Sequence, residues 1–508
     1  MFHNGAIFPS CELHLSLCRN DSVVSQYASR QRNYWKDQNI VHEKYSLVLG
    51  PLSRYFFQPF HLMNHERYIK YGRLFGVFEG SQPVLYVADA ELLKLVFVRD
   101  FASLPDRRVG SQGACRLHKL GGRQWSQALT SILAYRRTAQ QSVKARFLFQ
   151  MYPRINDCIT ATVTFLKEAA EKDTELDIRT LFSKYALDAI ARCAFGAKME
   201  SHLQEVNDFA AKHKSIFEAA HTFVGLISQS FPSLAKLLKL DAIQSGRMPY
   251  FTALSESIIK ERKHTENVRE TSSFDISTQE DFLQLMIDSQ EENSSSGADS
   301  QSDDRLFNPD SGSKAFAMGR RKALTKSEAL AQCTMFFLAG RDTSATSLAH
   351  AIYLLALNPE AQAKLRKEAD ECFEKHVRKS GGGEELTMDV VAKLKYVHGV
   401  VSETLRMLPP ITRLERSAAE DYVLGDTGIK VPKGYIIAIP VYSMHHDPEY
   451  FPDPFTFKPE RFIGENIESI RPYTYLPFGA GPRNCIGNRF AVEVMKIALL
   501  HVVRSVEF

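Results

Sequence analysis

The stretch that most limits what this chain can become is Pro477–Gly487, which reads Pro-Phe-Gly-Ala-Gly-Pro-Arg-Asn-Cys-Ile-Gly. Gly479 and Gly481 permit turns at positive φ that bring backbone close to something bulky, and Pro482 stiffens the loop. From Asn488 onward, Phe490, Val494, Ile497 and Leu500 fall on one helical stripe, which puts Cys485 at a loop-to-helix junction. A thiol there is favoured as the thiolate, the form that binds metal, because exposed N–H groups and the positive end of the helix dipole stabilise the anion. Arg483 adds a fixed cation, and Phe478 can keep water from the sulfur. A lone cysteine beside a Gly-Pro turn reads as a buried structural residue. Here turn, charge and apolar cover coincide on one sulfur.

The full set Phe478, Gly481, Arg483, Cys485, Gly487 and Ala491 resembles the haem-ligand loop of the cytochromes P-450. The resemblance runs from about Tyr27 to the end, and its later half is closest to the animal family-three microsomal branch. It implies a mainly α chain with small β-sheets, the cytochrome P-450 fold, holding haem b through an axial Cys485 thiolate. The implied reaction is a monooxygenation that inserts one oxygen atom of O2 into a small lipophilic substrate. Electrons would come from NADPH through NADPH-cytochrome P-450 reductase, docking on a basic proximal face around Arg483 and Lys496. The implied setting is xenobiotic metabolism on the cytoplasmic face of the endoplasmic reticulum membrane.

Composition fits a large globular enzyme. With 508 residues, 44% hydrophobic and 24% charged, the chain can bury a sizeable core. A net charge of +4 is too small to argue for nucleic acid, but suits an acidic partner or an anionic membrane surface. The 8 cysteines show no CxxC pair and read as reduced thiols of an intracellular protein. No run approaches the roughly 18 to 20 apolar residues that span a bilayer. Residues 1–26 form an atypical N-terminal segment, broken by polar residues and Pro9, with neither a clear membrane anchor nor a convincing signal peptide. Residues 27–508 read as a single haem-binding catalytic domain, crossed near 290–321 by an acidic, serine-rich linker that is disordered by composition. Against the family pattern the chain is expected to be truncated at its C-terminus as well as lacking the N-terminal anchor.

A second segment serves the same chemistry. Thr325-x-x-Glu328 is a capping box that opens a helix expected to run to about Leu357, and within it lies Ala339-Gly340-Arg341-Asp342-Thr343-Ser344. A glycine inside a buried helix costs about 1 kcal/mol, so Gly340 calls for a reason, such as close approach of a flat cofactor. Alone the segment could be an ordinary helix face. Beside the cysteine loop it resembles the family's oxygen-activating motif, which assigns Ala339 and Gly340 to the haem, Thr343 to a hydrogen bond with dioxygen and Asp342 to proton delivery. Arg341 is unusual for that branch, and both facing away and pairing with Asp342 stay open.

Further residues follow from the same resemblance. Glu403 and Arg406, one helical turn apart, join Arg461 in a buried structural network beneath the haem. Arg413 stands where the family binds a haem propionate. The family's Trp-x-x-x-Arg helix is imperfect here, since Trp125 is followed by Leu129; Arg136 is the preferred substitute, with Arg137 behind it. Phe217 to Phe231 would roof the substrate cavity. His445, His446 and Asp447 lack further ligands and read as structural. Residues from about Tyr27 to Asn64, with Arg30, Arg32, Trp35, Lys36 and Lys44, read as a solvated face, or alternatively as a membrane contact. Two other functions stay open: a haem-thiolate isomerase or dehydratase, and a truncated non-enzymatic product.

Overall fold

The structure, a computed structural model, describes residues 33–44, 58–79, 82–107, 145–196, 326–376, 378–380 and 383–508, with isolated positions between 253 and 260. Arg136, Trp125, the Phe217–Phe231 stretch, residues 1–26 and the 290–321 linker all lie outside these described residues.

The architecture is mainly helical with small sheets. Helix α1 (Phe60–Tyr71) leads into a hairpin of β1 (Leu74–Glu79) and β2 (Gln82–Val87), the two strands expected around the Gly/Pro turn. β2 runs parallel to β8 (Ile436–Ile439), and β5 (Leu414–Ser417) closes the sheet antiparallel, giving the order β1-β2-β8-β5. Period-two alternation separates two apolar layers: Phe75, Val77, Val84 and Tyr86 cluster on one face, while Phe78, Leu85 and Val87 join the main core. Trp35 is buried beneath β1, and a Cβ on Gly76 would sit 2.3 Å from its ring. This corrects the reading of Trp35 as part of a solvated or membrane-facing segment: its ring fills core space, and its Nε1 donates to the Val77 carbonyl at 3.2 Å.

Beyond β2, Asp89 caps the short α2 (Ala90–Lys94), whose path widens into a π turn over Leu95–Arg99. The long helices α3 (Ala145–Glu171), α4 (Ile178–Phe195), α5 (Lys326–Leu357) and α6 (Pro359–His376) follow. Then come the hairpin of β3 (Arg378–Ser380) and β4 (Gly383–Glu385), the short α7 (Met388–Val391), and α8 (Lys395–Met407). After β5, the hairpin of β6 (Tyr422–Val423) and β7 (Lys430–Val431) precedes β8, α9 (Val441–His445) and the last helix, α10 (Asn488–Ser505).

Helix ends follow local chemistry. Asp177 accepts from Arg179 and Thr180 N–H groups to start α4, and Gly196, at φ +62°, ends it as the sequence predicts. α5 ends at Leu357, also as expected, but Asn358 closes it by donating to the Leu354 carbonyl at 2.7 Å. Other ends are closed from a distance by α6. Glu368 accepts the Tyr396 and Val397 N–H groups of α8, each at 2.8 Å, while Arg366 donates to the Val503 and Val506 carbonyls at the far end of α10.

Candidate functional site

The cysteine loop is a compact turn. Gly479 and Gly481 take φ +71° and +69°, so both glycines occupy the left-handed region. A short 3-10 turn covers Gly481–Arg483, Asn484 N–H donates to the Gly481 carbonyl at 3.0 Å, and Cys485 N–H donates to the Phe478 carbonyl at 2.7 Å. Helix α10 starts three residues later, with Gly487 at its cap and Ala491 N–H bonded to the Gly487 carbonyl at 2.8 Å. Five of the six predicted loop residues are therefore held in one turn, and Ala491 stands on the first turn of α10. Cys485 is exposed, whereas the other four described cysteines, Cys158, Cys193, Cys333 and Cys372, are buried. That exposure, on a backbone pinned at both sides, fits a thiolate offered to a bound group rather than a packing residue.

The loop is fastened to the π turn and to the segment before residue 108. A Cβ on Gly481 would lie 2.0 Å from the Phe97 carbonyl oxygen, so only glycine lets these backbones meet. Arg483 donates from Nε to the Pro105 carbonyl at 3.0 Å and approaches Asp106 at 3.7 Å. Arg107 returns the contact, donating from Nη2 to the Arg483 carbonyl at 2.6 Å, and its charge acts on both Cys485 and Glu415. Burial and the Arg107 charge pull the Arg483 guanidinium below its ordinary pKa. Sequence reasoning missed Arg107, because nothing in local spacing marks a partner 376 residues away.

Beneath the loop the expected arginine network is present. Arg406 grips Glu403 through two bonds, Nε to Oε2 at 2.7 Å and Nη2 to Oε1 at 2.8 Å, with both side chains fully buried. Arg461 Nε and the Lys458 N–H add bonds to Glu403 Oε1 at 3.3 and 3.0 Å. His445 extends the network upward, as the structural role assigned to it requires. Its Nε2 accepts from the Leu476 N–H at 2.9 Å, which leaves Nδ1 as the donor to the Arg406 carbonyl at 3.1 Å. Leu476 directly precedes Pro477, so this chain of bonds ends at the root of the cysteine loop.

The Ala339–Ser344 segment lies on α5, which packs on both α4 and α10. Thr343 Oγ1 donates to the Ala339 carbonyl at 2.8 Å, placing these two residues on one helix face, with Ala339 exposed. A Cβ on Gly340 would lie 2.7 Å from Ile190 Cδ1, so α4 approaches α5 closely at this glycine. Asp342 is 26% exposed and sits 3.8 Å from Arg179 and 4.0 Å from Arg341, which realises the pairing left open for Arg341. Arg341 is buried, and burial lowers its pKa against the pull of Asp342.

Two expectations meet different surroundings. Arg413 is bound by Glu79 at 2.5 Å and Glu415 at 2.6 Å, and a haem carboxylate would share its guanidinium with both. Lys496 and Arg483 do not form a basic docking face: both are buried, with Lys496 3.0 Å from Glu493, which also accepts from the Tyr152 hydroxyl. Their positive charges are directed inside the domain. The His445-His446-Asp447 run is engaged in packing bonds: His445 with Leu476 and Arg406, His446 with the Tyr442 carbonyl at 2.8 Å, and Asp447 with Arg73 at 2.7 Å. No described helix is long and apolar enough to cross a membrane.

Comparison with known proteins gives the same answer as the loop. The family model for Cytochrome P450 matches residues 48–508. Cytochrome P450 3A2 of Rattus norvegicus is 31% identical over 499 residues, covering 96% of this chain and 88% of that protein. Cytochrome P450 3A31 of Mesocricetus auratus is 31% identical over 492 residues, with 95% and 88% covered. Cytochrome P450 9e2 of Blattella germanica is 31% identical over 466 residues, with 87% and 80% covered. With an exposed cysteine on a turn fastened ahead of α10, a buried carboxylate–arginine network beneath it, and a match across nearly the whole length, the chain belongs to the cytochrome P450 family and is a haem-dependent monooxygenase.

Proposed function

We propose that this chain binds haem b through the Cys485 thiolate and oxidises small lipophilic substrates with electrons passed from NADPH by a diflavin reductase. The observation that carries the reading is Cys485 itself, the one exposed thiol among the described cysteines, on a turn that two left-handed glycines and the Phe97 carbonyl hold in place. Haem, when bound, supplies the O2 and electron-transfer chemistry.

The remaining roles belong to side chains. Phe478, half-buried over the loop, limits water near the sulfur, and Gly487 with Ala491 lets α10 begin close to it. Arg107, whose charge reaches Cys485, and Arg413 are the cations we assign to haem carboxylates, with Arg136 as the third. Asp342, partly exposed beside Arg179, carries a proton in from solvent, and the Thr343 hydroxyl, beside the exposed Ala339, receives it at Oγ1 as it gives up its own proton. Glu403, Arg406 and Arg461 keep the loop's foundation rigid. The relatives named Cytochrome P450 3A support a microsomal setting on the endoplasmic reticulum, with the chain lying against the membrane surface.

The deciding experiment reduces the purified chain under carbon monoxide. A strongly red-shifted Soret band is expected, and Cys485→Ser should abolish it; no such band in the parent chain overturns the reading. With reductase and substrate present, Thr343→Ala should raise NADPH consumption per product formed. Unchanged coupling would remove Thr343 from the relay.

A further inference from the structure

Between α3 and α10, above Phe373 of α6, lies a cleft of about 470 Å³. None of its lining residues belongs to the cysteine loop or to the Ala339–Ser344 motif. Its size falls within the usual range for small-molecule sites, about 300–1,000 Å³.

One face of α3 forms a wall, since Thr160, Val163, Thr164 and Lys167 recur at the spacing that stacks residues along a helix. Val163 and Phe373 are buried and give the cleft an apolar floor. The charge is one-sided: Lys167 and Arg504 line the cleft, and no carboxylate is among the described lining residues. Lys167 has no ion pair or hydrogen bond to any described residue. Arg504 lies 4.5 Å above the Phe373 ring and 3.4 Å from Asp370. Both members of that pair are substantially exposed, so the pairing is weak and an incoming anion can share the guanidinium.

His501 adds no charge. Asn156 directs both amide hydrogens to the Tyr152 and Leu386 carbonyls, which turns its Oδ1 toward His501 Nε2 at 3.3 Å. The ring proton is therefore on Nε2, and burial with the Arg504 charge holds the imidazole neutral, its pKa lowered to about 4. Two rim cations above an apolar floor, with a neutral polar wall, match one kind of ligand.

We propose that this cleft binds an amphipathic organic anion, with its apolar body on Val163 and Phe373 and its acidic group between Lys167 and Arg504. The haem-loaded full chain would be titrated calorimetrically with naphthalene-2-sulfonate, and with neutral naphthalene-2-sulfonamide as a size-matched control. The sulfonate should bind saturably, and Lys167→Glu should weaken it about tenfold or more, as loss of a charge-assisted contact does. Lys167 is exposed, so its replacement leaves the fold intact, and an unchanged melting temperature checks this. Because the reversal touches only this cleft, probe entering the substrate cavity contributes equally to both titrations. No saturable binding, equal affinity in parent and variant, or sulfonamide binding as tightly as sulfonate would each overturn the proposal.

Discussion

Arg406 and His445 exchange hydrogen bonds through each other's backbone: Arg406 Nη1 donates to the His445 carbonyl at 2.7 Å, and His445 Nδ1 donates to the Arg406 carbonyl at 3.1 Å. Because His445 Nε2 also receives the Leu476 N–H, a buried neutral imidazole joins the arginine network to the start of the cysteine loop. His445→Ala would strand the Leu476 N–H and a carbonyl without partners, each worth about 1–3 kcal/mol. Denaturant unfolding should show a loss of about that size or more, together with weaker haem retention. An unchanged midpoint would mean the loop does not lean on His445.

Glu403→Gln tests the network directly. Arg406 would keep its charge in a fully buried site with no counter-charge, which costs roughly 3–5 kcal/mol. Arg461, with 13% of its side chain exposed, should matter less, so Arg461→Lys is expected to lie well below Glu403→Gln in an unfolding series. The reverse order would reassign the centre of the network.

Two glycines separate strain from collision. Gly428 has φ +71° with nothing within 4 Å of the point where an alanine methyl would stand, so Gly428→Ala should cost about 1 kcal/mol. Gly481 has nearly the same φ, but its Cβ would lie 2.0 Å from the Phe97 carbonyl. Gly481→Ala should therefore destabilise several-fold more and reduce bound haem, measured by melting and by absorbance. Equal effects at the two sites would show that the Phe97 contact yields freely.

Acid should destabilise the fold before its carboxylates titrate. Burial lowers His398, His446 and His501 to about 4, and holds His445 well below its ordinary value. These rings are neutral in the folded chain but take up protons near pH 6.5 when unfolded, so the unfolded state gains protons first as pH falls. Each contributes about 1.4 kcal/mol of lost stability per pH unit between roughly 6 and 4. Unfolding free energy measured from about pH 7.5 down to about pH 5 should fall steeply. A flat profile would mean the rings already meet water.

Glu368 supplies the cap that α8 lacks locally, since Leu394 offers no side-chain acceptor. Glu368→Ala should cost about 1–2 kcal/mol in thermal unfolding, with Glu368→Gln retaining part of it. No loss for alanine would show that water serves the two N–H groups as well.

Sequence alone determined what depends on neighbours along the chain. The cysteine turn, α4 ending at Gly196, α5 ending at Leu357 and the β1–β2 hairpin are written in glycine placement, caps and period, all acting over a few residues. Glu403 and Arg406 were legible for the same reason, being one turn apart. Tertiary structure decided the rest. Lysine is ordinarily exposed, yet Glu493 draws Lys496 inside; Gly340 makes room for Ile190; Trp35 fills space under Gly76; Arg107 meets Arg483 across 376 residues. Such contacts depend on which surfaces packing brings together, and a pair distant in sequence leaves no spacing or periodicity by which either residue announces the other.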